Sequence, residues 1–242
     1  MKVITLILCI LLSSFGWTSS DTLTIGTLGN NPPYSTKDSV TNNLYGFDID
    51  LMQHICKIMN KKCIFKIMSR QQLLKKINEN GLDLVIGTIP ITNDYLDRYI
   101  FSLPYLSSSM VFVTNRDAPF TSIQSLQNAK IGYTLGTSHR AFIQKTLGKK
   151  AHFKRFDSIF SMMVALKENQ IDALVMDSHS AEYWVEEMSG ACKIIDNPIP
   201  YGLGYAILIN KNSSDLIPQI NHAILHMEND GTFLNLYKVY ME

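Results

Sequence analysis

The chain has 242 residues, with 22 basic and 21 acidic side chains and a formal net charge of +1. So even a balance gives no support to nucleic-acid binding, and the length suits one compact unit or two small lobes. No stretch after residue 20 approaches the ~20 consecutive apolar residues of a membrane helix.

The N-terminus reads Met1-Lys2, an apolar run from Val3 to Leu12, and small residues up to Ser20. One positive charge, a short apolar core and a small-residue end describe a signal peptide over residues 1–20, cleaved near Ser20 to release an exported product. A buried N-terminal strand or helix is the competing reading, but nothing polar punctuates the run. Leu8 before Cys9 is not small, which argues against a lipid-anchored cysteine. Removal of residues 1–20 takes away Lys2 alone and leaves 21 basic against 21 acidic residues. In an oxidising compartment Cys56 and Cys63 either close a small loop or stay as reduced core thiols. Their spacing is not that of a zinc site, no histidine cluster accompanies them, and no cofactor motif is present. Cys192 is expected to be buried and unpaired.

The mature chain opens on an alternating strand, Thr22–Thr27, followed by the turn-rich Gly29-Asn-Asn-Pro-Pro-Tyr34. A helix begins at Gly46 and runs to about Asn60, with Asp48 placed to cap or charge its first turn. Cys63–Ile67 reads as a strand, Gln71–Asn80 as an amphipathic helix stopped by Gly81, and Asp83–Ile86 as a buried strand opening into Gly87-Thr88. Further strands are expected at Ser109–Thr114, Lys130–Tyr133, Ile171–Met176 and Tyr205–Ile209. Helices are expected to start near His139 and to span Ser158–Glu168, Ser178–Met188 and Ser214–Asp230, with a short one at the end. This alternation implies an α/β protein with mainly parallel sheets covered on both faces. Extended, little-punctuated sequence near Ser107–Val111 and Tyr201–Tyr205 offers two crossings between sheets. They divide the chain into one discontinuous lobe, residues 21–108 plus 205–242, and a second, residues 109–204.

Taken in order, Ile25-Gly-Thr, Pro32-Pro-Tyr, Gly46-Phe-Asp-Ile-Asp-Leu51, Asp83 to Tyr105, Gly136-Thr-Ser, Asp172 to Asp177, Tyr201-Gly-Leu-Gly204 and Asp230-Gly-Thr form an ordered set. It resembles the polar amino-acid solute-binding proteins of ABC importers and covers nearly the whole mature chain. The resemblance implies a type II periplasmic-binding fold, two lobes closing over a small polar ligand in the periplasm, and docking of a monomer onto an inner-membrane permease. It also implies a disulfide, because the Cys56–Cys63 spacing is similar to the small disulfide of the lysine/arginine/ornithine-binding branch. Asp177 sits at the position that holds a ligand ammonium; it is also placed to cap the helix that follows. Thr137 and Ser138 match the helix-start loop that favours a carboxylate, and His139 beside them reads more simply as a solvent-facing residue. Gly87 and Thr88 match ligand-facing backbone positions, and Asn31 and Tyr34 a wall in the first loop, unless Pro-Pro-Tyr is only a packed turn.

The departures matter as much. Tyr95 stands where the resemblance places a carboxylate-binding arginine, and a phenol does not replace a bidentate guanidinium. An uncompensated loss of about 3 kcal/mol would weaken binding roughly a hundredfold. Arg98 is a poor substitute, since it reads as an exposed helix charge, and Pro90 removes an N–H and a hydroxyl from the ligand-facing set. Leu28 and Arg70 fall where the basic-amino-acid branch carries an acidic residue and an aromatic wall. On those two positions the ligand site, which takes in Arg70, is expected to disfavour arginine and lysine. Two other functions fit the scaffold: a cyclohexadienyl dehydratase-like enzyme, with Asp177, His139 and Arg70 as acid, base and carboxylate anchor, and a sensing module without a transport role.

Overall fold

The computed structural model describes residues 22–148 and 151–242, so the expected signal peptide lies outside the described residues. Strand β1 (Thr22–Thr27) leads into a small antiparallel sheet of β2 (Asn30–Asn31), β3 (Ser35–Lys37) and β4 (Leu44–Tyr45), which carries the Pro-Pro-Tyr turn. Helix α1 (Phe47–Ile58) buries Ile49, Leu51, Met52 and Ile55, and β5 (Lys62–Ile67) follows it. Helix α2 (Arg70–Asn78) starts at a capping box, in which the Ser69 hydroxyl and the Gln72 side chain satisfy each other's backbone N–H groups. Then come β6 (Leu84–Val85), the single turn α3 (Asn93–Leu96) and β7 (Ile100–Leu106).

After β8 (Ser109–Asn115) and a 3-10 turn at Ile123–Leu126, strand–helix units follow: β9 (Lys130–Thr134) with α4 (His139–Leu147), β10 (His152–Phe156) with α5 (Ile159–Lys167), and β11 (Ala173–Asp177) with α6 (Ser178–Glu187). The chain ends with β12 (Cys192–Pro200), β13 (Tyr205–Ile209), α7 (Leu216–Asn229) and α8 (Thr232–Met241).

Two five-stranded sheets result, ordered β5-β1-β6-β13-β7 and β10-β9-β11-β8-β12. Within each, three neighbours pair in parallel (β5, β1 and β6; β10, β9 and β11) and two antiparallel junctions follow. Four strands of every sheet therefore run one way and a single strand, β13 or β8, runs against them. Those two reversed strands are the ones that follow the crossings. The chain leaves the first sheet at Leu106, enters the second at Ser109, and returns over residues 201–204. The crossings are tied together, with the Tyr201 N–H donating to the Ser108 carbonyl at 2.9 Å. Gly204 has φ 122°, and a Cβ there would lie 2.7 Å from the Leu106 carbonyl oxygen, so the return crossing needs glycine.

Each sheet is covered on both faces. One core packs Ile25, Leu84 and Ile207 against α1, α7 and α8, and another packs Val85 and Leu208 against Leu73 and Ile77 of α2. In the second sheet Phe112, Ile131 and Val175 meet α4, while Val113, Leu174 and Met176 meet α5 and α6. Cys56 and Cys63 are joined in a disulfide that fastens the end of α1 to β5, and Cys192 is buried and unpaired among the described residues.

Of the ten strands in the two large sheets, three are not anticipated by the sequence pattern: β7, β10 and β12; the short β2, β3 and β4 fall where a loop and a polar stretch are expected. The three in the large sheets are all sheet edges. Edges tolerate prolines such as Pro104, Pro198 and Pro200, and the polar alternation of His152–Phe156, which in a central strand would argue against one. Asp48 differs in another way. It lies in the first turn of α1 but makes no cap; it is fully buried, and the Tyr105 hydroxyl donates to its Oδ1 at 3.0 Å.

Candidate functional site

The carboxyl ends of the parallel strands in both sheets face one another across a cavity of about 400 Å³. That is where open α/β sheets bind ligands, because backbone groups at strand ends are left unpaired there. From the first sheet the walls come from the segment after β1 (Leu28 to Asn31), the start of α2 (Arg70), the loop after β6 (Thr88) and the first residue of β13 (Tyr205). From the second come the segment after β9 (Thr137, His139), the β10–α5 junction (Asp157, Ser158) and the end of β11 (Met176, Asp177).

Thr88 is held in the left-handed region, φ 50°, which a β-branched residue adopts only under constraint. The constraint is visible: its Oγ1 accepts from Arg70 Nη2 at 3.0 Å and from Asn31 Nδ2 at 3.3 Å. With both lone pairs engaged, the hydroxyl hydrogen is left to donate. Arg70 reaches Thr88 from the first residue of α2, so its guanidinium stands at the cavity wall and not out in solvent.

On the opposite side Asp177 is buried and divides its work. Oδ1 caps α6 by accepting the Ser180 N–H at 2.9 Å and also accepts the Tyr34 hydroxyl at 2.9 Å. Oδ2 has no hydrogen-bond partner among the described residues. A second carboxylate, Asp157, lies at the exposed edge of the cavity. Thr137 is committed to its own turn, donating to the Thr134 carbonyl at 2.6 Å and accepting the His139 N–H at 3.3 Å.

His139 is a cavity residue and not the solvent-facing one expected. Its Nδ1 is enclosed with no partner among the described residues, and burial, then the neighbouring Arg70 charge, push the imidazole down to about 3. It is neutral at any ordinary pH.

Of the residues singled out in the sequence, Asn31, Arg70, Thr88, Thr137 and Asp177 meet at the cavity, whereas Tyr34, Gly87, Tyr95 and Ser138 do not line it. Tyr34 is fully buried in the first core, and through Asp177 it bridges the two sheets. Tyr95 is buried in the α2 core, and its hydroxyl donates to the Gly136 carbonyl at 3.4 Å. Ser138 offers its carbonyl to the Tyr201 hydroxyl at 3.4 Å. Arg98 lies outside, its guanidinium 5.5 Å from the Tyr95 ring centre. Sequence reasoning missed Asp157 and Tyr205. Asp157 carries a readable signal, since it stands between a strand end and the Ser158 helix cap as Asp177 stands at the head of α6.

Two sheets of this topology joined by two crossings, with one cleft between their strand ends, define a two-lobed solute-binding scaffold. Residues 23–242 match the family model of bacterial extracellular solute-binding proteins, family 3. The chain belongs to that family. It is 26% identical over 233 residues to the ABC transporter arginine-binding protein 1 of Escherichia coli K12, covering 94% of this chain and 95% of that one. Among solved structures it is similar to an arginine 3rd transport system periplasmic binding protein from Legionella pneumophila, with 35% identity, a TM-score of 0.85, and coverage of 90% of this chain and 99% of the other. An ancestral arginine-binding protein bound to arginine gives 30% identity and a TM-score of 0.83, over 92% and 99% of the two chains.

Proposed function

We propose that this protein is the exported, periplasmic binding component of an ABC-type amino-acid importer, and that it works as a monomer which closes over its ligand and docks on a membrane permease. Residues 21–108 with 205–242 form one closing lobe and 109–204 the other. The observation that carries this reading is the opposed pair across the cavity: a partnerless carboxylate oxygen on Asp177 from one sheet and the Arg70 guanidinium from the other. An α-amino acid has the complementary poles. Asp177 Oδ2 takes its ammonium, and Arg70 with the Thr88 hydroxyl takes its carboxylate, with Asn31 and Thr137 lining the space. Because the two contacts come from different lobes, both exist only when the lobes are closed, and ligand binding shifts the equilibrium toward closure.

Arg70 takes up the role left open by Tyr95, and Asp157 revises the expected preference. With Arg70 matched to the ligand carboxylate and Asp177 to its ammonium, Asp157 remains as a negative charge at the mouth. A ligand with a distal positive group is therefore favoured over an acidic one, as the names of the arginine-binding relatives suggest. No chemistry is assigned to the cleft. The dehydratase-like reading requires a base, and an imidazole held near 3 is a poor one at neutral pH.

The test is calorimetry on the ligand-stripped mature protein with the twenty L-amino acids. Heat and a raised melting temperature are expected with L-arginine or L-lysine. Absence of both across the panel overturns the reading.

A further inference from the structure

Tyr205 is the first residue of β13, directly after the return crossing between the sheets. The residue is 1% exposed and lines the cavity, and its hydroxyl has no hydrogen-bond partner among the described residues. A buried phenol hydroxyl normally finds one, since leaving it unpaired costs about 1–3 kcal/mol. Its ring is fixed edge-on to Tyr34, with centroids 6.1 Å apart. Burial first, then the Asp177 carboxylate, hold the hydroxyl well above its ordinary range, while Arg70 acts in the opposite sense. The group is therefore a permanent O–H donor lying within reach of the charges of both Asp177 and Arg70.

The backbone shows what this donor stands in for. Tyr205 forms a bridge opposite Pro90, flanked by the Ile91 N–H to Gly204 carbonyl bond at 2.9 Å and the Ala206 N–H to Ile89 carbonyl bond at 3.1 Å. Side chains opposite one another on paired strands share a face. Pro90 has no N–H to offer, and the residue paired with it, which lines the cavity, carries an enclosed and unused hydroxyl.

Resting on the amino-acid reading of the cleft, we infer that Tyr205 is a ligand-recognition residue whose hydroxyl donates to the carboxylate of the bound amino acid beside Arg70. The carboxylate anchor is then a guanidinium, a threonine hydroxyl and a phenol, from three separate segments of one lobe. Because Tyr205 directly follows the crossing, the contact also ties ligand occupancy to the segment about which the lobes close.

The test compares wild type with Tyr205→Phe, using the panel amino acid that gives the largest heat with wild type, L-arginine being expected. The inference predicts affinity about tenfold weaker, as for loss of a hydrogen bond to a charged group, and a melting temperature without ligand that is unchanged or raised, because the hydroxyl has no structural partner to lose and its unpaired burial is relieved. Wild-type affinity in the variant overturns it while leaving the amino-acid reading intact. Weaker binding accompanied by a lower melting temperature of the unliganded protein also overturns it, since that is the mark of a structural hydroxyl. If wild type binds nothing in the panel, the cleft reading fails and this inference fails with it.

Discussion

The Tyr34 hydroxyl donates to Asp177 Oδ1 over 2.9 Å, so a residue of the first lobe completes the coordination of the acid that heads α6 in the second. The same oxygen accepts the Ser180 N–H, and Ser180 in turn donates its hydroxyl to the Pro32 carbonyl at 2.9 Å. One oxygen of Asp177 is thus wholly structural. In the reading we propose the other takes the ligand ammonium, so that a single carboxylate serves as both helix cap and binding group.

That division makes Asp177→Asn informative. Asparagine is as good an N-cap as aspartate and keeps an acceptor for both Ser180 and Tyr34. The variant should therefore melt within about 1 °C of wild type, a cap change of a few tenths of a kcal/mol at most. Loss of the charge opposite the ligand ammonium should weaken binding by about a hundredfold or more, as for breaking a buried charge pair. Calorimetry with the panel amino acids checks it; an affinity near wild type would remove Asp177 from the ammonium site.

Asp48 supplies a pH-dependent counterpart. Its carboxyl is pushed up to about 8, chiefly by burial, against the opposing pull of the Tyr105 hydrogen bond and the Arg70 charge. Below the unfolded value near 4 both states are protonated and nothing is lost. Between about 4 and about 8 the unfolded chain gives up the proton while the folded one keeps it. The folded state then binds more protons, and stability falls as pH rises. Asp48→Asn lacks this slope. Its melting temperature relative to wild type should climb from pH 4 to pH 8 and level off above that. A difference that stays flat with pH would mean that Asp48 is ionised in the folded protein.

Much of the fold is readable in the sequence, for reasons that also explain the omissions. Central strands such as Ala173–Asp177 and Tyr205–Ile209 are buried on both faces and so carry dense apolar runs, and Thr22–Thr27 is legible by its alternation. Edge strands need no such run, and β7, β10 and β12 go unseen. For the cavity, Asn31, Thr88, Thr137 and Asp177 are legible because each follows a strand end or opens a helix. Arg70 is legible as a position but not as a role: that its guanidinium turns onto Thr88 depends on a left-handed residue in another loop. Tyr34 and Tyr95 show the converse. Their positions follow the ligand-facing pattern, yet their rings are large enough to be taken into the cores, which leaves only the hydroxyls to act across the cleft. Tyr205 reads as one more apolar residue in a buried strand. Its importance lies in an unpaired hydroxyl, which is a property of the packed structure.

The disulfide separates stability from binding. Cys56 is buried at the end of α1 and Cys63 lies in β5, the edge strand beside β1, so the bond pins a helix to the sheet edge most open to fraying. With a sequence separation of 7 between the cysteines, the chain-entropy estimate for the closed loop is about 2.5 kcal/mol. For a chain of this size that corresponds to a fall of roughly 5–10 °C in melting temperature for Cys56→Ser with Cys63→Ser. Neither cysteine lines the cavity, so the heat and affinity of ligand binding at 25 °C should not change. A reductant should lower the melting temperature of wild type toward that of the double variant and leave the variant where it is. If the reductant shifts neither, the two thiols are not joined in the purified protein. If the double variant also loses affinity, then the disulfide bears on the cleft through β5, which leads by way of Met68 and Ser69 directly into Arg70.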